Sequence, residues 1–266
     1  MRKLYIVFSG DKYHAWTERI VRDAPRMGAD QVLVYDDWWL WNRRPEFVEK
    51  NRWLFEHPCR KEGVPRGVCW FAWKPLIILD AFSRCQEGDL VLYTDADTYP
   101  IRDISVVYDV AVRDGGIMLF AASGLVHREW CKRDCFILMG QDEPKYWDSQ
   151  AGVARFMVFR NDAASRAFLE EWLRWCCVPQ CNTVDPSTLG PELEGFKEHR
   201  FEQAIMTNLA HKYGHHLYRE ACAYGNRHLR EYGEDADLYP QLFEQVGDHS
   251  YGPVRGQGSM FRNVND

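Results

Sequence analysis

The sequence predicts an α/β fold in which a mainly parallel sheet is flanked by helices. Short apolar runs, typical of buried strands, alternate with segments of helical spacing through the first half of the chain. Such alternation is typical of βα units, whose crossover helices cover both faces of a parallel sheet. The chain has 266 residues, enough for one large domain, and we expect residues 1–266 to form a single domain.

The strands are predicted from short apolar runs that end at polar or turn residues. Five such runs are expected to be buried strands, at residues 4–9, 31–35, 89–94, 116–122 and 156–159. The third of them ends in the stretch VLYTDADTYP, where Thr98, Tyr99 and Pro100 are expected to form a turn that leads the chain away.

The helices are predicted from apolar residues that recur at helical spacing. Four segments show this spacing, at residues 14–27, 75–85, 161–176 and 200–213. Pro75 suits a first helical turn because its missing N–H would be unpaired there, and Asn161 or Asp162 is expected to cap the third helix. In the fourth, Phe201 begins an apolar stripe that Glu202 does not share.

Three segments lack these patterns. Residues 183–196 hold two prolines and two glycines and are expected to be a loop. The tryptophan-rich residues 38–67 are expected to be an irregular insertion, and residues 215–266 an irregular C-terminal segment.

Charge and composition exclude some partners and environments. The net charge is −6 without any Lys/Arg run, which argues against nucleic acid as a partner. The longest apolar stretch, 116–126, is too short to span a membrane. The N-terminus lacks the pattern of a signal peptide, and none of the nine cysteines forms a CxxC pair. We therefore expect a cytoplasmic protein with reduced cysteines. Cys176, Cys177 and Cys181 could form half a zinc site, but packing at a helix end is favoured.

Asp95 and Asp97 are the candidates for chemistry. They follow a strand at its carboxyl end, the edge where parallel sheets bind ligands. Residues i and i+2 of an extended chain point to the same side, and two converging carboxylates repel each other unless a cation compensates them. Mg²⁺ or Mn²⁺ is the natural cation, and phosphate oxygens would complete its ligands. Alternatively, one Asp caps the next turn and the other is solvated.

Two other functions fit parts of the pattern. An aspartate-nucleophile phosphatase carries D-x-D-x-[TV] after its first strand, whereas here Thr98 directly follows Asp97 and the strand is a later one. A metal-dependent phosphohydrolase therefore remains an alternative without its usual motif. The aromatic share of 14% also allows a non-catalytic carbohydrate-binding protein.

Several motifs together resemble a known family. They are WKPLIIL, GDLVLYTDAD, KRD and HRFEQAIMTNLAHKYG, and they resemble bacterial GT-A-fold glycosyltransferases of the capsule or lipopolysaccharide kind. The resemblance implies a Rossmann-like sheet that binds a nucleotide diphosphate sugar, with the D-x-D holding Mn²⁺ or Mg²⁺ on the diphosphate. It extends over about residues 4–255, and the tryptophan-rich insertion has no counterpart in it.

The C-terminal HSYGPVR is similar to the H-x-x-G-x-x-K of glycosyltransferase family 8. This similarity implies that His249 is a third metal ligand and that Arg255, in place of the family's Lys, contacts the diphosphate. A loop histidine is the alternative for His249. The N-terminal FSGDKY also resembles that family, which implies nucleotide contacts for Ser9, Asp11 and Tyr13, although Asp11 could equally cap the following helix.

The resemblance implies further roles in the transfer of the sugar. Glu202-Gln203 stands where the similar families carry Asp-Gln. This position implies that Gln203 lies near the reacting centre and that Glu202 contacts the sugar or the acceptor. The alternative for Glu202 is an acidic residue that the helix dipole favours in the first turn. Lys74 would neutralise the diphosphate. Donor-sugar contacts are implied for Lys132, Arg133 and Asp134, for which a solvated charge cluster in a loop is the alternative. A contact of the same type is implied for Gln150.

The function predicted from the sequence is a metal-dependent glycosyltransferase, retaining in outcome. The alternative is an inverting enzyme, which needs a carboxylate base on the acceptor oxygen. It would move a sugar from a nucleotide diphosphate sugar to a glycan or lipid-linked acceptor. A lipid-linked acceptor would bring the protein into peripheral contact with the inner face of the membrane.

Overall fold

The computed structural model describes residues 1–10, 13–56, 59–61 and 64–246. Ten strands are described there: β1 Lys3–Phe8, β2 Gln31–Tyr35, β3 Cys59–Lys61, β4 Val64–Gly67, β5 Leu90–Asp95, β6 Thr98–Pro100, β7 Ile117–Val126, β8 Gln150–Arg160, β9 Leu217–Tyr218 and β10 Phe243–Gln245. Twelve α-helices are described: α1 His14–Asp23, α2 Asp37–Arg43, α3 Pro45–Lys50, α4 Trp53–Glu56, α5 Trp73–Ser83, α6 Ser105–Arg113, α7 Arg133–Leu138, α8 Pro144–Trp147, α9 Ala163–Cys176, α10 Pro179–Asn182, α11 Phe201–Lys212 and α12 Ala223–Arg227.

Six of the strands form one central sheet in the order β2-β1-β5-β8-β7-β9. β1 pairs in parallel with β2 and β5, and β7 pairs in parallel with β9, whereas β8 runs antiparallel to both β5 and β7. Five of the six strands therefore run in one direction. This confirms the predicted α/β fold with a mainly parallel sheet flanked by helices.

Helices cover both faces of this sheet. Alternate residues of β1 point to opposite sides, with Ile6 in one hydrophobic core and Val7 in the other. The first core is closed by α5, α9 and α11, and the second by α1 and α6. Because both faces are buried, these strands are apolar at nearly every position rather than alternating with polar residues.

Most predicted elements are present, and their bounds shift by a few residues. Of the two predicted caps of α9, Asp162 is the one observed, and its side chain accepts a hydrogen bond from the Ser165 N–H at 2.8 Å. The cysteines also pack as expected: Cys176 and Cys181 are fully buried in the first core.

Three sequence predictions differ from the structure. Residues 38–67 are not irregular but include α2, α3, α4 and the β3–β4 hairpin, because short amphipathic turns such as DWWLWNR bury one side and expose the other. Residues 98–100 are not a turn but strand β6, which pairs with β10 near the end of the described chain. Residues 215–246, the described part of the predicted irregular C-terminal segment, include β9, α12 and β10, because β9 adds to the edge of the central sheet beside β7. Helix α6 was not predicted. No described helix is long and apolar enough to cross a membrane.

Candidate active site at the carboxyl edge of the sheet

The carboxyl ends of β1, β2 and β5 meet at one edge of the sheet. Phe8 lies beside Asp95 in the β1–β5 register, and the Ser9 N–H donates to the Tyr35 carbonyl at 2.7 Å. Asp95 is the last residue of β5, and Asp97 lies in the two-residue turn before β6. The two predicted acidic residues therefore stand at the edge where a parallel sheet binds ligands.

Lys74 lies at the centre of the site. Its Nζ contacts Asp95 Oδ1 at 3.0 Å and Glu202 Oε1 at 2.8 Å, and it donates to the Ala154 carbonyl at 3.0 Å. The side chain is buried. Burial alone would lower the pKa of Lys74, but the charges of Asp95 and Glu202 outweigh it and raise that pKa, so the ammonium group stays charged. One cation thus joins β5, β8 and α11.

Asp97 has too little positive charge around it. Burial, followed by the negative charge of Asp95, raises the pKa of Asp97 to about 6, although Arg155 and Lys74 pull it down. Within the described residues, its carboxylate accepts one hydrogen bond, from the Thr98 hydroxyl at 3.1 Å. A further cation beside this carboxylate would therefore stabilise its ionised form.

A bulge in β8 frees backbone groups for the site. Met118 of β7 pairs with Val158 and Phe120 pairs with Val153, so residues 154–157 of β8 lie opposite a single residue of β7. The freed Ala154 carbonyl binds Lys74, and the Ala154 N–H donates to Gln203 Oε1 at 3.4 Å.

Glycine allows helix α11 to approach this strand closely. A Cβ at Gly152 would come within 3.0 Å of Met206 and of the Thr207 hydroxyl. That hydroxyl instead accepts from the Gly152 N–H at 3.0 Å. The close contact fixes the start of α11, with Glu202 and Gln203, against β8.

The backbone is strained where Lys74 and Glu202 enter the site. Cys69, Trp70 and Phe71, just before α5, and Phe201, the first residue of α11, all have left-handed φ values between 46° and 59°. For residues other than glycine this conformation costs of the order of 1–2 kcal/mol each. The two segments pack together, with the rings of Trp70 and Phe201 5.3 Å apart. Strain held by packing is common at functional sites.

Glu202 is buried, which the sequence did not indicate. Burial, the larger effect, and the charge of Asp95 raise the pKa of Glu202 to about 7, although Lys74 lowers it. Its backbone carbonyl also accepts from the Trp172 indole N–H at 2.8 Å. The carboxylate therefore faces Lys74 inside the protein rather than open solvent.

Two functional candidates were missed by sequence reasoning, Arg155 and Glu220. The Arg155 guanidinium lies 3.4 Å from Glu220 Oε1, and its charge acts on both Asp95 and Asp97. The available signal was an arginine inside the otherwise apolar run GVARFMVF. Glu220 had no such signal, because it lies in a polar segment after β9.

The charges around the two aspartates do not balance. In the described part of the chain the cluster combines four carboxyl groups with two cations, an excess of two negative charges when all four are ionised: Asp95, Asp97, Glu202 and Glu220 against Lys74 and Arg155. This excess and the oxygen donors fit a divalent cation such as Mg²⁺ or Mn²⁺. No group of three His, Cys, Asp or Glu side chains within the described residues forms a complete metal site.

The other predicted donor residues make contacts within the protein. Lys132 Nζ donates to the carbonyls of Thr183 and Asp185, at 3.3 and 2.9 Å. The Asp134 carboxylate accepts from the backbone N–H groups of Thr188 and Leu189. Both residues therefore hold the 183–196 loop.

Arg133 and Gln150 are also held by neighbouring groups. Arg133 forms a two-point ion pair with Asp142, with Nε–Oδ1 at 2.6 Å and Nη2–Oδ2 at 2.8 Å. The Gln150 amide donates to the carbonyls of Ala122 and Leu125 on β7, at 2.6 and 3.0 Å. Their sugar contacts remain predictions.

The predicted nucleotide contacts surround the end of β1. The Ser9 hydroxyl accepts from Thr17 at 2.9 Å and is buried, and the Tyr13 N–H donates to the Gly10 carbonyl at 2.9 Å. Three further predicted residues lie outside the described residues: Asp11, His249 and Arg255. The described chain ends near the site, because the Val246 N–H donates to the Asp97 carbonyl at 3.0 Å.

The chain matches no family model and no curated protein. Among solved structures it is similar to apo WbbM bifunctional glycosyltransferase (12% identity, TM-score 0.44, 78% of this chain and 37% of that one). It is also similar to apo mouse xyloside xylosyltransferase 1 (11% identity, TM-score 0.47, 95% of this chain and 99% of that one). A third similar structure is apo GlyE of Streptococcus pneumoniae TIGR4 (12% identity, TM-score 0.44, 93% of this chain and 55% of that one). The chain thus spans about a third of WbbM and about half of GlyE. With TM-scores this low, the similarities carry no argument about function.

Proposed function

We propose that the chain is a metal-dependent GT-A-type glycosyltransferase that uses a nucleotide diphosphate sugar. The observation that carries this proposal is the pair Asp95 and Asp97 at the carboxyl edge of the sheet, in a cluster that holds two more carboxyl groups than cations. A divalent ion together with a diphosphate is the ligand whose charge and oxygen chemistry suit such a pair.

In this proposal Asp95, Asp97 and His249 hold Mn²⁺ or Mg²⁺. The support for His249 is the chain's course: Val246 is hydrogen-bonded to Asp97, and three residues of chain reach no further than about 10 Å. The bound ion would supply charge neutralisation for the leaving diphosphate.

The remaining donor contacts follow from the resemblance and the strand ends. Ser9, Asp11 and Tyr13 would bind the nucleoside beside β1, and Lys74 and Arg255 would face the diphosphate. A last group of residues would contact the hydroxyls of the donor sugar: Lys132, Arg133, Asp134 and Gln150. Because Lys132 and Asp134 already bind the 183–196 loop, their role would be to shape the sugar pocket through that loop.

The transfer itself breaks the bond between the anomeric carbon and the diphosphate oxygen and forms one to the acceptor oxygen. The diphosphate leaves with the electron pair, and the acceptor's proton passes to it. We propose retention, with Gln203 near the reacting carbon, supported by its contact with the bulge at Ala154. Glu202 would orient Lys74 rather than touch substrate, since its carboxylate is buried against Nζ. The acceptor would be a glycan or lipid-linked sugar, met in the cytoplasm or at the inner membrane face.

Calorimetry with UDP and GDP tests this proposal. We expect one of them to bind with Mn²⁺ and to bind far more weakly after the metal is removed with a chelator. Asp97→Asn should abolish the metal-dependent part while circular dichroism and the unfolding midpoint stay near those of the wild type. Absence of nucleotide binding under both conditions would refute the proposal, and phosphate release from aryl phosphates would favour a phosphohydrolase.

A further inference from the structure

Arg155 occupies an unusual position in the sheet. Ala154 belongs to the first hydrophobic core and Phe156 to the second, and Arg155 contacts Cys222 of that second core, with Nη1–Sγ at 3.9 Å. Two consecutive residues, Arg155 and Phe156, therefore point to the same face. The bulge in β8 makes this possible, and without it Arg155 would follow the alternation of a regular strand.

The same bulge sets Arg155 beside the metal-binding candidates. Thr94 pairs with Phe156 in the antiparallel β5–β8 register, so Asp95 and Arg155 are each the neighbour of one paired residue, and the charge of Arg155 acts on Asp95 and Asp97. Lys74 reaches Asp95 from the first core, among the rings of Phe71 and Tyr93. The two cations thus flank the acidic pair from opposite faces of the sheet.

The described contacts of Arg155 are longer than those of a tightly held arginine. Its ion pair with Glu220 is made through one nitrogen at 3.4 Å, longer than a strong charge-assisted hydrogen bond. Its guanidinium carbon lies 5.4 Å from the ring centre of Tyr224, and about a fifth of its side chain is exposed. Glu220 is better fixed, because it also accepts from the Ser123 hydroxyl at 3.0 Å. A planar five-donor group that meets its described partners at these long distances retains capacity for a bidentate partner.

We propose that Arg155 is a second diphosphate-binding residue of the donor site, presented by the β8 bulge. Without ligand its charge compensates Asp95 and Asp97. With a divalent ion bound at Asp95 and Asp97, that compensation would no longer be needed, and the remaining donors of the guanidinium would face the diphosphate oxygens. This inference rests on the proposed function.

The proposal predicts effects of opposite sign on two binding constants. In Arg155→Gln, Mn²⁺ alone should bind about threefold to tenfold more tightly, because a competing positive charge is gone. The same variant should bind UDP or GDP about tenfold more weakly at saturating Mn²⁺, because a charge-assisted contact is lost. Free Mn²⁺ is counted by electron paramagnetic resonance, and nucleotide binding is measured by calorimetry.

A residue that only supports the fold would weaken both constants or neither, and either result overturns the inference. Arg155→Lys keeps the proposal testable if the first variant misfolds. It should leave Mn²⁺ binding unchanged and weaken nucleotide binding severalfold, because the positive charge stays but the bidentate guanidinium is lost.

Arg160→Gln is the matched control, since Arg160 lies on the same strand at the opposite edge and pairs with Asp162 at 2.6 Å. This variant should change neither binding constant. If the wild type binds no nucleotide, the proposed function fails as well, whereas normal binding unaffected by Arg155→Gln refutes only this inference.

Discussion

Lys74 shows how one buried charge can depend on its partners. Its Nζ is shared between Asp95 and Glu202, and both Lys74 and Glu202 are about 5% exposed. A buried ion pair of this kind adds little net stability compared with apolar residues, but removing one partner leaves the other charge buried without compensation. The arrangement therefore fixes geometry more than it contributes free energy of unfolding.

We predict that Lys74→Met lowers the free energy of unfolding by about 3–5 kcal/mol, because Glu202 is then buried without a cation. Glu202→Gln in the same chain should recover a substantial part of that loss, because it removes the uncompensated charge. Urea unfolding of the wild type, both single variants and the double variant forms a double-mutant cycle. Additive effects of the two changes would contradict the ion pair.

Single residues differ in how far the sequence reveals their place. Asp95 was predictable because an apolar strand leads directly to it. Glu202 was not, because the stripe of Phe201 and Ile205 suggested one buried face, whereas α11 is buried on nearly all sides between the sheet and α9. Arg155 depends on strand register, which neighbouring side chains and the bulge decide together.

At the scale of elements, α11 is tied to α9 by one glutamate. Glu171 accepts from Lys212 Nζ at 2.7 Å and from the Tyr213 hydroxyl, both at the end of α11. Burial alone would raise the pKa of Glu171, but these donors outweigh it and lower that pKa to about 2, from an ordinary 4.5. The contact holds the far end of the helix whose first turn carries Glu202 and Gln203.

We predict that Glu171→Gln lowers the free energy of unfolding by about 1 kcal/mol at neutral pH, since the ion pair is largely at the surface. A carboxyl group whose pKa is lower in the folded chain than in the unfolded chain stabilises the fold at pH values above its unfolded-state pKa. The difference in free energy of unfolding between the variant and the wild type should therefore shrink below about pH 4.5 and vanish near pH 2. Urea unfolding at neutral and acid pH measures it. The adjacent exposed Glu170→Gln is the control, and an equal effect there would count against the α9–α11 contact.

Element types were predictable where patterns are long, as in the capped helix α9 with its apolar stripe. The β8 bulge left no pattern, because the same apolar residues would suit a regular strand. Residues 38–67 were also misjudged, because α2, α3 and α4 are each shorter than the window in which helical periodicity can be recognised.

At the scale of the whole molecule, two histidines are built into the core as neutral groups. His127 Nε2 lies 3.0 Å from the Asn208 side-chain oxygen. His199 Nδ1 accepts from the Lys132 N–H at 3.2 Å, and its Nε2 is 2.8 Å from the Cys181 carbonyl, to which it donates. Burial lowers the pKa of both histidines to about 3, from 6.5. Together they connect α7, α10 and α11 around the first core.

This burial predicts how the stability of the whole fold depends on pH. Below about pH 6.5 the unfolded chain binds a proton at each histidine while the folded chain does not, so stability is lost as pH falls from 6.5 towards 3. Each histidine should contribute roughly 1.4 kcal/mol per pH unit in that range. Urea unfolding between pH 7 and pH 5 should therefore show a steep decline for the wild type. His199→Gln and His127→Gln should each be less stable at pH 7 and yet decline less steeply, and the double variant least of all. If all four chains lost stability with the same slope, the histidines would not be the groups that take up the protons.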